Sequence, residues 1–163
     1  MTFRLRKHPA DIRRQRPLEG KWAMRSHKNH LRTKQLKDKH ILLVDDDAWI
    51  RDSMSICLSC EGCRVTTAKT AREGLEALQQ GGVDVLICDY QLPDRDGLDL
   101  LREAKSLAPQ VPMILITAFG SRQLYAQAAA IGVDIFIDKP FNSHTIEHAI
   151  TRLLEDPPMG RPR

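Results

Sequence analysis

From residue 40 onward, short apolar runs alternate with stretches whose apolar residues recur every three or four positions. The runs are "ILLV" (41–44), "CRVTT" (63–67), "VDVLIC" (83–88), "PMILIT" (112–117) and "DIFI" (134–137). Each has the length of a strand and is too short for a buried helix. The intervening stretches carry helical stripes: Ile50, Met54, Cys57 and Leu58; Ala71, Leu75 and Leu78; Leu98, Leu101 and Ala104; the Ala-rich 121–131; and Ile146, Ala149, Ile150 and Leu153. Stop signals follow them at Gly62, Gly81, Pro109, Gly132 and the closing "DPPMGRPR". Thr70 with Glu73 forms a capping-box pair ahead of the second helix. Five strands alternating with five helices predict an α/β fold, a doubly wound parallel sheet with helices on both faces. The runs at 41–44, 83–88 and 112–117 are the most continuously apolar, as central strands covered on both faces must be. "CRVTT" is more polar and suits an edge.

Residues 1–39 lack this rhythm, and Pro9, Pro17 and Gly20 interrupt them. They read as a basic, disordered arm, with a short helix predicted near 21–37. The net charge of +4 conceals a division: residues 1–39 carry 13 Lys+Arg against 3 Asp+Glu, and residues 40–163 carry 12 against 18. Such an arm reads first as a solvated tail; the alternative is an arm for an acidic partner or nucleic acid, since its charge attracts phosphate without sequence selectivity and would give residues 1–39 weak nucleic-acid contact. Met24 is a second candidate translation start. The folded domain is expected to span 40–155, with a disordered tail at 156–163. No apolar stretch approaches the roughly 20 residues of a membrane span. The N-terminus has no apolar signal-peptide core, so a cytoplasmic protein without membrane contact is expected. "CLSCEGC" (57–63) has metal-cluster spacing, but Cys57 continues a helical stripe and no fourth ligand follows. With Cys88, these cysteines are expected to be small buried thiols.

The chemistry gathers where the predicted strands end. Asp45, Asp46 and Asp47 follow the first strand, Asp89 the third, Thr117 closes the fourth, and Lys139 follows the fifth. In a doubly wound sheet the ligand crevice lies at the carboxyl ends of the strands, so these groups converge on one rim. Clustered carboxylates bind a hard divalent cation such as Mg²⁺. A carboxylate beside it can attack a phosphoryl group, while an ammonium and a hydroxyl stabilise the phosphoryl oxygens. Any one of these residues alone is ordinary, and Asp47, directly before a helix, reads best as its cap. The four strand ends together carry the parts for phosphoryl transfer to aspartate.

The motifs "LLVDDD", "LICDYQLPDRDG", "ILITAFG" and "IFIDKPF", in this order and spacing over residues 40–155, resemble the receiver domains of two-component response regulators. The likeness is to stand-alone receivers of the chemotaxis and sporulation kind. It implies a flavodoxin-like sheet of order 2-1-3-4-5. It also implies that Asp89 accepts a phosphoryl group from a histidine kinase or histidine phosphotransfer protein, with Thr117 and Lys139 completing the catalytic set. Mg²⁺ would be held by Asp45, Asp46, Asp89 and the backbone carbonyl of Gln91, with Asp46 the more direct ligand and Asp45 acting through water. Thr117 and Phe136 would form the switch, Phe136 lacking the hydroxyl of the Tyr found in many relatives. Ala118 would leave the acceptor accessible, Gly97 would permit a tight turn, and the Lys139–Pro140 bond would be cis. Phosphorylation would remodel the face formed by helix 4 and strand 5, where a downstream protein would dock. Ala126, Ala128, Ala129 and Ala130 would offer a flat surface there.

An enzyme alternative is a haloacid-dehalogenase-like phosphohydrolase with Asp45 as nucleophile, since Asp45–Asp47 satisfies a D-x-D motif. That family needs a further acidic motif after its lysine, and "KPFNSHTIEHAI" has none. Beyond its own phosphorylation and dephosphorylation the chain is therefore not expected to be an enzyme. It ends about ten residues after the last helix, so it is expected to act by protein contact or phosphorelay rather than through an appended DNA-binding domain.

Overall fold

Period-two alternation in the strands sorts their side chains into two cores. The computed structural model describes residues 35–155. In chain order it contains β1 (His40–Val44), α1 (Ala48–Cys60), β2 (Arg64–Ala68), α2 (Ala71–Gln79), β3 (Val85–Asp89), α3 (Gly97–Leu107), β4 (Met113–Thr117), α4 (Arg122–Ile131), β5 (Ile135–Asp138) and α5 (Ser143–Glu155). All strand pairs are parallel and the order is β2-β1-β3-β4-β5, as expected. Leu42, Val44, Leu86, Cys88, Met113 and Leu115 face one core with α2, α3 and α4. Ile41, Leu43, Val85, Ile87, Ile114 and Ile116 face the other with α1 and α5. This is why the central strands read as unbroken apolar runs. No described helix is long and apolar enough to cross a membrane.

Strands β2 to β5 begin one or two residues later than their apolar runs, while β1 begins one residue earlier, at His40. Asp84 and Asp134 are spent as anchors: Asp84 Oδ2 accepts from His40 N, and Asp134 Oδ2 accepts from Met113 N, each at 2.8 Å. The Cys63 N–H closes α1 by donating to Leu58 O, which delays β2 to Arg64. Side chains also cap the helices: Asp47 accepts from Trp49 N and Ile50 N, and Thr70 from Glu73 N. The reciprocal half of the expected capping box shifts by one residue, with Glu73 Oε2 accepting from Lys69 N.

The packed domain reaches back past the expected boundary at residue 40. Leu36 is 1% exposed and belongs to the α1–α5 core, and the Cys63 thiol donates to its carbonyl. The basic arm up to residue 34, with most of the helix predicted near 21–37, and the tail at 156–163 lie outside the described residues. The cysteines are free, but only Cys63 and Cys88 are buried; Cys57 is half-buried and Cys60 exposed, because the solvent face of α1 carries it. Leu36→Ala should lower the unfolding free energy of the full chain by about 2–4 kcal/mol in urea titration, the usual cost of truncating a fully buried leucine. A change below about 0.5 kcal/mol, that of an ordinary surface substitution, would place Leu36 outside the core.

Candidate functional site

Backbone pairing across the sheet places the predicted groups side by side. Val44 pairs with Cys88, Asp89 with Ile116, and Thr117 with Asp138, so Asp45, Asp89, Thr117 and Lys139 emerge from neighbouring strands at one edge. Asp45 is fully buried. Its Oδ1 accepts from Asp47 N at 2.8 Å, its Oδ2 lies 3.1 Å from Lys139 Nζ, and its carbonyl accepts from Arg51 Nη1 at 2.7 Å. Asp46 is exposed, and Asp47 is the helix cap. One carboxylate oxygen each from Asp45, Asp46 and Asp89 lie within 4.8 Å of one another.

Asp89 closes β3, 5% exposed, with Oδ1 3.2 Å from Lys139 Nζ. Burial raises its pKa most, the Asp45 carboxylate raises it further, and Lys139 offsets part of this, leaving it at about 6. Burial works against the Lys139 charge, yet Asp45 and then Asp89 outweigh it and hold the ammonium above the usual lysine value. Fully ionised, three carboxylates and one ammonium leave two negative charges, which one divalent cation balances. The all-oxygen donor set suits Mg²⁺.

The loop after Asp89 is fixed at three points. Tyr90 donates to Ile116 O and accepts from Gly97 N, Gln91 bridges to Asp96, and Asp94 accepts from Ala71 N and Arg72 N at the start of α2. Sequence reading missed the Asp94 and Arg51 contacts, because neither has a local signature. Gly97 serves a different purpose from the expected turn. A Cβ there would overlap the Asp89 carbonyl oxygen, so the glycine lets α3 start directly against the end of β3.

Thr117 is buried; its Oγ1 accepts from Phe119 N at 3.1 Å and its carbonyl from Lys139 N at 2.8 Å. Phe136 is half-buried beside Tyr125. The Lys139–Pro140 bond is cis. Of the α4 alanines, Ala126, Ala129 and Ala130 are exposed, whereas Ala128 turns into the core and leaves the expected flat surface.

The family model described as the response regulator receiver domain matches residues 41–151. The chain belongs to the response regulator receiver domain family. The transcriptional regulatory protein GlrR of Escherichia coli K12 is 36% identical over 119 residues, which cover 73% of this chain and 27% of that protein. The C4-dicarboxylate transport regulator DctD of Rhizobium meliloti is 34% identical over 115 residues, 71% of this chain and 25% of that protein. The chain thus spans only about a quarter of these regulators' length. A receiver domain from Methanospirillum hungatei JF-1 superposes with TM-score 0.71 at 34% identity, covering 73% of this chain and 95% of that one. A BeF3-activated DrrB receiver domain gives TM-score 0.67 at 29% identity, covering 73% and 99%.

As a receiver domain, the chain is a response-regulator module of a two-component system. The dehalogenase-like alternative finds no support. Its nucleophile, Asp45, is enclosed, with one oxygen engaged by the Asp47 N–H and the other by Lys139. Among the described residues, the aspartates form the candidate metal cluster and no cysteine belongs to it.

Because the folded-state pKa of Asp89 lies above its unfolded value, its contribution to stability is present below about pH 4 and is lost as pH rises through about 6. In chelator, Asp89→Asn should therefore stabilise the domain at pH 7 by about 1–2 kcal/mol and change it little at pH 4. Denaturant titrations at the two pH values measure this. Equal effects at both would show that the Asp89 charge is not destabilising.

Proposed function

We propose that Asp89 is the phosphoacceptor of this receiver domain and takes its phosphoryl group from a histidine kinase or histidine phosphotransfer protein. One observation carries the reading: Lys139 bridges a fully enclosed Asp45 and a rim-facing Asp89 whose charge is disfavoured by burial. A carboxylate oxygen of Asp89 attacks the phosphorus, the phosphorus–nitrogen bond of the donor phosphohistidine breaks, and the imidazole leaves. An aspartyl phosphate results, later hydrolysed by water. Lys139, 3.2 Å from the Asp89 oxygen, lies close enough to follow the charge onto the phosphoryl oxygens. The Thr117 hydroxyl completes the set by donating to a phosphoryl oxygen after leaving its Phe119 contact. Catalysis is confined to this self-modification.

Asp46, Asp89 and the Gln91 carbonyl would hold Mg²⁺, with Asp45 acting through water because both its oxygens are engaged. When bound, the ion neutralises charge on the transferring phosphoryl group. The downstream protein would dock on exposed Ala126, Ala129 and Ala130 of α4 and on β5 with Phe136, and Thr117 and Phe136 would change position together on phosphorylation.

Incubating the full chain with a small acyl phosphate and Mg²⁺, then reducing with borohydride and mapping by mass spectrometry, should place the label on Asp89. Asp89→Asn should remove it, and Lys139→Ala should slow labelling about 10²-fold, the typical loss of one charge-stabilising donor. A label on Asp45 with Asp89 untouched would overturn the assignment.

A further inference from the structure

Phe136 has no hydroxyl, yet a phenol stands beside it. The Tyr125 ring, projecting from α4, lies 5.3 Å from the Phe136 ring, tilted by 58°. Its Oη donates to Asp138 Oδ1 at 2.5 Å. This donation, with some burial and the Asp138 charge, holds the phenol above its ordinary pKa. Asp138 pairs in register with Thr117 and directly precedes Lys139. The bond therefore joins α4 to the strand end that delivers the lysine.

Gly120 covers this bond. A Cβ on Gly120 would overlap Tyr125 Oη and fall 2.7 Å from Asp138 Oδ1. The segment from Thr117 to Gly120 thus rests on the Tyr125–Asp138 pair, and within it the Thr117 hydroxyl oxygen accepts from Phe119 N, which ties its position to the path of this segment. Phe136 can pack against the ring but cannot replace the hydrogen bond.

We infer that Tyr125 is a positioning residue for phosphoryl capture: its bond to Asp138, covered by Gly120, holds the Thr117–Gly120 segment in its resting place, and Thr117 engages a phosphoryl group only after that bond is released. The inference rests on Asp89 being the phosphoacceptor. Any ligand that favours the released arrangement binds more weakly by the factor with which the bond favours the resting one.

The test is the affinity of the full chain for beryllofluoride, a phosphoryl stand-in, in the presence of Mg²⁺. Tyr125→Phe keeps the ring and removes the bond. It should tighten beryllofluoride binding about three- to tenfold, the scale of one hydrogen bond, and leave affinity for Mg²⁺ alone unchanged. Without beryllofluoride, amide exchange at Phe119 and Gly120 should quicken while exchange in β1 and β3 does not. Gly120→Ala, which displaces Tyr125, should reproduce the tighter binding in wild type and add nothing in a Tyr125→Ala background. Equal or weaker beryllofluoride binding by Tyr125→Phe would overturn the inference. Failure of the wild type to bind beryllofluoride would instead strike the Asp89 reading, and the inference with it.

Discussion

Lys139 Nζ stands 3.1 Å from Asp45 and 3.2 Å from Asp89, and this contact organises the carboxyl edge of the sheet. Two buried carboxylates at neighbouring strand ends repel each other and resist losing water. The ammonium offsets part of that cost, and the exposed Asp46 adds a third negative charge at the mouth of the site. The remaining imbalance is negative and divalent in size. The site is thus incomplete in electrostatic terms, and a hard divalent cation would balance it.

The two buried acids are made different by their surroundings. Asp45 is held by a backbone N–H on one oxygen and Lys139 on the other, with its own carbonyl tied down by Arg51. Asp89 shares the lysine but keeps a pKa near 6, the mark of a group whose charge is poorly compensated. One carboxylate is locked in place and the other keeps a disfavoured charge. The rigid sheet is what allows this, because the strand register fixes the two aspartates and the lysine to neighbouring positions despite their separation in sequence.

Most of this was legible in the chain. Continuous apolar strands gave the layers, and the acids, hydroxyl and lysine at their ends gave the site, because strand ends in a parallel sheet must converge. Asp84 and Asp134 were misread as strand residues, since an anchor that captures the next strand's first N–H looks in sequence like part of its own strand. Leu36 was assigned to the arm because one apolar residue among basic ones shows no period. Gly97 was read as a turn, whereas it is a close approach of two backbones, which depends on distances that sequence does not encode. The Arg51, Asp94 and Tyr125 contacts were invisible for the same reason: each joins side chains to partners whose proximity only the packed fold creates.

Three crowded aspartates call for a divalent cation among them. Thermal melting of the full chain with and without millimolar Mg²⁺, for wild type and Asp46→Ala, is the decisive measurement. Mg²⁺ should raise the wild-type melting temperature, since a ligand bound only by the folded state stabilises it, and Asp46→Ala should lose most of that gain. Identical wild-type melting with and without Mg²⁺ would mean that the aspartate cluster holds no cation.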